Sequence, residues 1–198
     1  MVDRPGAPDA AYYARRRPEL GVGLHVELTR WRVGRFPRRG AALRRTALER
    51  ATQTQLRRQL ERFRAAVGRD PTHLDSHHNR HLSADVRPYF DQLAAELGIP
   101  LRRVDPRIGF RGDFYGHDSK GHPDPEAITP GALVRILESI NDAITDLGCH
   151  PGYVDDLDDW YAVEREQELR TLCDDHVAAT VSRLALELAT FPHALENS

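Results

Sequence analysis

Apolar positions recur along the chain in two rhythms. From Gly21 to Leu28 ("GVGLHVEL") they alternate, with Val22, Leu24, Val26 and Leu28 on one face and Gly21, Gly23, His25 and Glu27 on the other. That is the period of a half-buried strand. Over 41–67 the rhythm becomes helical: Leu43, Leu48, Leu56, Leu60 and Phe63 stand among charged residues, which predicts a long amphipathic helix ending near Gly68. Asp9–Arg17 predicts a shorter helix stopped by Pro18, because proline disfavours helix in the residue before it. "PTHLDSH" reads as a strand, and "IPLRRV" as another. Between them Ser83 is the expected cap of a helix that presents Val86, Phe90, Leu93 and Leu97 and closes at Gly98. Residues 105–127, rich in Gly, Asp and Pro, predict a long loop of the kind that carries function. Thr129 followed by Pro130 marks a helix start, with Leu133, Leu137, Ile140 and Ile144 on one side. A short run into "GCHPGY", helices across 162–184 and "LELATF" as a last strand complete the pattern.

Strands alternating with helices of crossover length predict an α/β fold, a parallel sheet with helices outside. Pattern alone leaves an open doubly wound sheet and a closed barrel as alternatives. In both, chemistry sits at the carboxyl ends of the strands. With no internal repeat and no linker, residues 1–198 are expected to form a single domain.

Composition narrows the function classes. The 198 residues are 40% hydrophobic and 29% charged, with a net charge of -2, so no global charge points to nucleic acid. All basic residues but Lys120 are arginines, scattered among 30 acids. The arginine-rich piece around Arg30–Arg45 is expected to be a solvated loop leading into a helix. An RNA or membrane patch is disfavoured because no aromatic ladder accompanies it. Cys149 and Cys173 make no disulfide framework. The N-terminal residues carry no apolar signal region, and no run approaches about eighteen apolar residues. A cytoplasmic location without membrane contact is the expectation.

The chemistry concentrates in "THLDSHHNRH" (72–81), which holds four of the ten histidines and an aspartate. If 72–77 is extended, His73, Asp75 and His77 point to one side, and His78, Asn79, Arg80 and His81 form the loop that follows. Neutral imidazole is the commonest protein ligand for Zn²⁺ and similar ions, and a neighbouring carboxylate either joins the shell or orients a ligand from outside. His25 sits in one apolar run, and His150 ends another before a Pro-Gly turn. Each alone is weak, but together three strand ends finishing in imidazole point to a metal site. His117, His122, His176 and His193 have no organised sequence neighbours and are expected on the surface.

These residues resemble a known family. "GVGLHVELT" (21–29), "PTHLDSHHNRH" (71–81), "FYGHDSKGHPDPEAITPGAL" (114–133), "CHPGYVDD" (149–156) and "EREQEL" (164–169) are similar, in order and spacing, to the YdjC-like carbohydrate deacetylases. That family includes chitooligosaccharide deacetylases and hopanoid-associated members. The resemblance implies a (β/α) barrel of the polysaccharide-deacetylase type. It also implies a metal-dependent hydrolase that removes acetyl groups from N-acetylated sugars, with Mg²⁺ or Zn²⁺ as cofactor. By the same resemblance, His25 and His77 are the metal ligands, His150 is the general acid, and His81 is a substrate-binding residue. Asn79 and Arg80 depart from the family pattern there.

A larger departure concerns the family's Ala-Asp-Asp-Phe-Gly motif, which supplies an aspartate ligand and is absent from this sequence. The chain matches the family pattern from the end of its second strand onward, so the barrel is expected to be incomplete, without its first strand–helix–strand unit. A barrel of this type takes about 250 residues. An upstream start and a shortened relative completed by a partner are both open explanations. With two imidazoles instead of three protein ligands, weak metal binding and impaired deacetylation are expected. Asp75 could substitute as a ligand, but an orienting role is favoured. Exposed sheet edges make a homodimer one expected assembly. The alternative function is a non-catalytic sugar- or metal-binding relative, and a third is an interaction module built on the 41–67 helix.

Overall fold

The computed structural model describes residues 1–28, 41–154 and 160–196, with side chains of the second stretch from residue 46 onward. The arginine-rich piece lies largely outside the described residues. The chain divides into two compact units, Met1–Asp105 with Thr190–Ser198, and Pro106–Ala189.

In the first unit, α1 (Ala7–Arg16) stops where Pro18 requires it. β1 (Leu24–Val26) pairs in parallel with β2 (Leu74–Ser76), in the register Leu24↔Leu74, His25↔Asp75, Val26↔Ser76. The crossover between them contains α2 (Ala41–Val67), whose Leu56, Leu60 and Phe63 are buried as the helical rhythm requires. α2 also carries a buried amide: Gln59 Oε1 accepts from the Glu27 N–H at 3.0 Å, and Gln59 Nε2 donates to the Glu27 carbonyl at 2.9 Å. The backbone just beyond β1 is thereby satisfied by a side chain where, among the described residues, no strand pairs with it. α3 (Arg87–Leu97) closes on Gly98 in the left-handed conformation, φ 65°. Leu24, Val26, Leu74, Val86, Phe90 and Leu93 join α2 in one core. α7 (Phe191–Glu196) belongs to this unit.

The second unit pairs β3 (Gly109–Arg111) with β4 (Thr145–Leu147), again in parallel. Between them, α4 (Pro130–Glu138) begins as the sequence requires: the Thr129 side chain accepts a hydrogen bond from Ala132 N at 3.2 Å. α5 (Ala162–Leu172) and α6 (Asp175–Arg183) follow. Phe114, Ile128, Leu133, Ile136 and Val177 form the second core.

Helices and parallel strands are therefore as expected, but several elements differ. "IPLRRV" makes only an isolated bridge, Leu101 to Leu74. The expected strand "LELATF" is absent: Leu188 is exposed and Ala185 takes φ 51°, so the alternation has no partner to pair with. Ser83 does not cap α3 with its side chain. It ends the preceding 3-10 turn, and its hydroxyl accepts from Arg80 at 3.1 Å. The helix from Pro130 ends at Glu138, short of Ile140 and Ile144. The stretch 105–127 hides β3. Among the described residues, strand pairing is confined to the two parallel pairs.

Candidate functional site

The parallel register sets His25 beside Asp75, and their side chains meet: Asp75 Oδ1 lies 2.8 Å from His25 Nδ1. Asp75 is mostly buried. Burial works to raise its pKa, but the His25 hydrogen bond and the charges of His25, His73 and Arg102 outweigh it and hold the carboxyl below its ordinary value. Arg102 stands 3.7 Å from the other carboxylate oxygen. An ionised Asp75 accepts from Nδ1–H, which leaves the His25 Nε2 lone pair free to bind elsewhere.

His77 follows β2 directly, and its ring centroid lies 5.9 Å from that of His25, edge to face. Its pKa is lowered, first by desolvation and then by the neighbouring His78 and His25, so the ring is held in the neutral form that ligation needs. His73 takes a different place. Its ring rests against Phe191, centroids 4.5 Å apart, and over Gly23, where an added Cβ would overlap it.

The turn after β2 is closed by one hydroxyl. His78 and Asn79 both adopt left-handed backbone, φ 53° and 52°, which swings the chain back on itself. Ser76 Oγ then accepts from the His81 backbone N–H at 2.8 Å and contacts His81 Nδ1 at 2.9 Å. His81 Nε2 lies 3.0 Å from the Arg102 carbonyl, to which it must donate, so Nδ1 is the acceptor of the Ser76 hydroxyl proton. The His81 side chain is fully buried with both nitrogens engaged. The family resemblance expects His81 to bind substrate; here both of its ring nitrogens are engaged inside the chain, where they hold the turn that follows His77.

His150 belongs to the second unit, three residues after β4. Its backbone N–H donates to Glu168 Oε2. Glu168 Oε1 accepts from the Tyr161 hydroxyl at 2.6 Å, and that hydroxyl accepts from the Gly116 N–H at 2.7 Å. Glu168 is fully buried, and desolvation leaves its pKa raised despite the Tyr161 and His150 donors. Burial and the Glu168 hydrogen bond likewise raise the Tyr161 pKa far above the ordinary phenol value. Tyr115 stacks on Tyr161 at 4.7 Å, with the His150 ring 5.5 Å away, edge on.

His117 was expected on the surface, and that is corrected. Its side chain is only 6% exposed, set among Tyr115, Trp160 and Tyr161, with Nε2 3.7 Å from Glu164 and, among the described residues, no hydrogen-bond partner for Nδ1. His122 is exposed, as expected. Sequence reasoning missed His117 and Glu168 because their burial comes from packing between α5 and the 114–117 loop. The one signal was their place inside "FYGH" and "EREQEL".

The fit of a divalent cation to these residues is partial. Two neutral imidazoles meet, one of them oriented by a carboxylate, yet among the described residues no group of three His, Cys, Asp or Glu side chains comes together. A catalytic zinc centre takes three protein ligands and a water. Among the described residues the site offers two.

Helices and parallel strand pairs with imidazoles at or beside the strand ends define an α/β protein of the group whose chemistry collects at strand termini. The sequence profile of the YdjC-like proteins matches residues 1–183, and the chain belongs to that family. It is 35% identical to a carbohydrate deacetylase of Geobacillus stearothermophilus over 96% of its own length and 83% of that protein's. It is 29% identical to a chitooligosaccharide deacetylase of Salmonella paratyphi B over 96% and 84% respectively. A crystal structure of an Enterococcus faecalis V583 protein described as a cellobiose-phosphate cleavage protein superposes with a TM-score of 0.73. That match covers 98% of this chain and 85% of that one at 21% identity, a likeness of fold.

Proposed function

We propose that the chain is a carbohydrate N-deacetylase, hydrolysing the acetamide of N-acetylated amino sugars, with His25 and His77 holding a divalent cation. The observation that carries this reading is the His25–His77 approach, 5.9 Å between rings, with Asp75 on the far nitrogen of His25. The deacetylase names of the relatives supply the reaction class.

A bound Zn²⁺ or Mg²⁺ supplies Lewis-acid polarisation of the amide carbonyl and lowers the pKa of a water. The chain's own residues do the rest. Asp75 fixes the His25 tautomer and aims Nε2 outward, while the depressed pKa of His77 keeps its ring neutral. Hydrolysis releases acetate, and the departing amine needs a proton. The family resemblance gives that role to His150, whose main chain is tied to Glu168. Two neutral donors leave a dication poorly balanced, so the hold on metal is weak and turnover slow in this polypeptide.

The test is acetate release from N-acetylglucosamine oligomers with added Zn²⁺ or Mg²⁺, for the wild type and for His77→Ala. Metal-dependent release that vanishes in the variant supports the reading. Release unaffected by chelator and by His77→Ala would refute it.

A further inference from the structure

Glu168 is the only acid among the fully buried side chains of the described residues, and nothing in the proposed reaction consumes it. Its surroundings are specific. One carboxylate oxygen takes the backbone N–H of His150, in the loop after β4. The other takes the Tyr161 hydroxyl, at the start of α5, which in turn takes the backbone N–H of Gly116. A single side chain thus joins the loop bearing His150, the loop bearing Tyr115 and His117, and α5. Gly116 can sit so close because it has no Cβ: one placed there would stand 2.6 Å from Glu164 Cγ and 2.9 Å from Ile128 Cδ1. Arg165 adds a bond from the same helix, Nη1 to the His150 carbonyl at 3.1 Å. The peptide units on both sides of His150 are therefore fixed from α5, and the ring is left against Tyr115.

We propose that Glu168 is a positioning residue for His150, clamping its backbone so that the imidazole is held against Tyr115 in one orientation. Burying a carboxylate is costly unless its oxygens are paired. Here both are paired, one with the main chain of His150 and the other with Tyr161, whose ring stacks on Tyr115. The His150 N–H can only donate, so the clamp needs an acceptor oxygen at position 168, whereas the Tyr161 hydroxyl can donate or accept. Glutamine can still place its oxygen on the His150 N–H and its amide nitrogen on the Tyr161 hydroxyl, but Glu168→Ala removes both contacts. The functional consequence rests on the deacetylase reading, in which His150 supplies the leaving-group proton. The positioning does not.

The test compares wild type, Glu168→Ala and Tyr161→Phe, the last removing the Gly116 anchor while leaving the His150 contact. Two readouts are taken on each folded protein. Amide exchange at His150 and the NOE between the His150 and Tyr115 rings report position directly. Acetate release from N-acetylglucosamine oligomers, resolved into kcat and KM, reports the consequence. In Glu168→Ala the expected results are exchange at His150 faster by at least tenfold, a weakened ring–ring NOE, kcat down at least tenfold and KM within twofold. Tyr161→Phe should keep His150 protected. Unchanged exchange and NOE in Glu168→Ala overturn the proposal, whatever the activity. So does an unchanged kcat in an active enzyme. A wild type that releases no acetate under any metal refutes the deacetylase reading alone, since the exchange and NOE comparison still decides the role of Glu168. Should Glu168→Ala fail to fold, Glu168→Leu and Arg165→Ala are read the same way: faster exchange at His150 in Glu168→Leu exceeding that in Arg165→Ala supports the clamp, and the reverse order overturns it.

Discussion

Asp75 Oδ1 and His25 Nδ1 lie 2.8 Å apart across a parallel register that pairs their backbones directly. The strand pairing, not a flexible loop, brings the carboxylate to the imidazole, so the contact is fixed before any ligand arrives. Asp75 has its first oxygen on His25 and its second facing Arg102. In the proposed metal site Asp75 therefore orients His25 and does not itself bind the ion. Asp75→Ala should weaken Zn²⁺ binding by about 10–100-fold, measured by calorimetric titration. Asp75→Asn should lose less, since its amide oxygen still accepts from Nδ1–H. Equal affinity in wild type and Asp75→Ala would mean that His25 needs no orienting partner.

Ser76→Ala removes the hydroxyl that closes the turn between β2 and α3. The His81 backbone N–H and Nδ1 then both lose their partner inside a fully buried turn. Leaving a buried polar group unsatisfied costs about 1–3 kcal/mol, to be read from urea unfolding. The metal titration should weaken as well, although no proposed ligand has changed, because the turn fixes where His77 points.

His81 gives a pH dependence with a definite sign. Desolvation holds its folded pKa below the ordinary 6.5 despite the bond to the Arg102 carbonyl. Above about pH 6.5 both folded and unfolded chains carry it neutral, and its contribution is intact. As pH falls below that value the unfolded chain takes up a proton that the folded one refuses. Stability then drops until the folded pKa is passed. Urea midpoints measured from pH 8 down to pH 5 should fall less steeply in His81→Gln, after correction for its lower starting stability.

Gly23→Ala places a methyl group where the His73 ring lies. Overpacking of this kind costs about 1–3 kcal/mol. The ring must give way, and its contact with Phe191 goes with it. A lower Tm together with loss of the His73–Phe191 NOE is expected. An unshifted Tm would show that the ring relocates freely.

How much could be read beforehand follows the physics of each element. β1 was legible because Leu24 and Val26 are fully buried and alternate with His25. The helix at Thr129-Pro130 was legible because its cap is local. The approach of His25 to His77 was expected from the family resemblance. β3 was hidden because its three residues are only half buried and stand among glycine, proline and aspartate. His117 differs from the surface expectation: it stands in a polar loop, yet Trp160 and Tyr161, over forty positions away, help enclose its ring. Burial created by distant packing leaves no local periodicity to find.

Thr190 and Phe191 complete the first unit from beyond the second in sequence, against Gly21 and the His73 ring. A ribosome adding about 5–20 residues per second delivers them only after the whole stretch from Pro106 to Ala189 has been made. The second unit, continuous in sequence, has all its parts together by then. The unit that carries His25 and His77 therefore cannot be completed until the other has been synthesised.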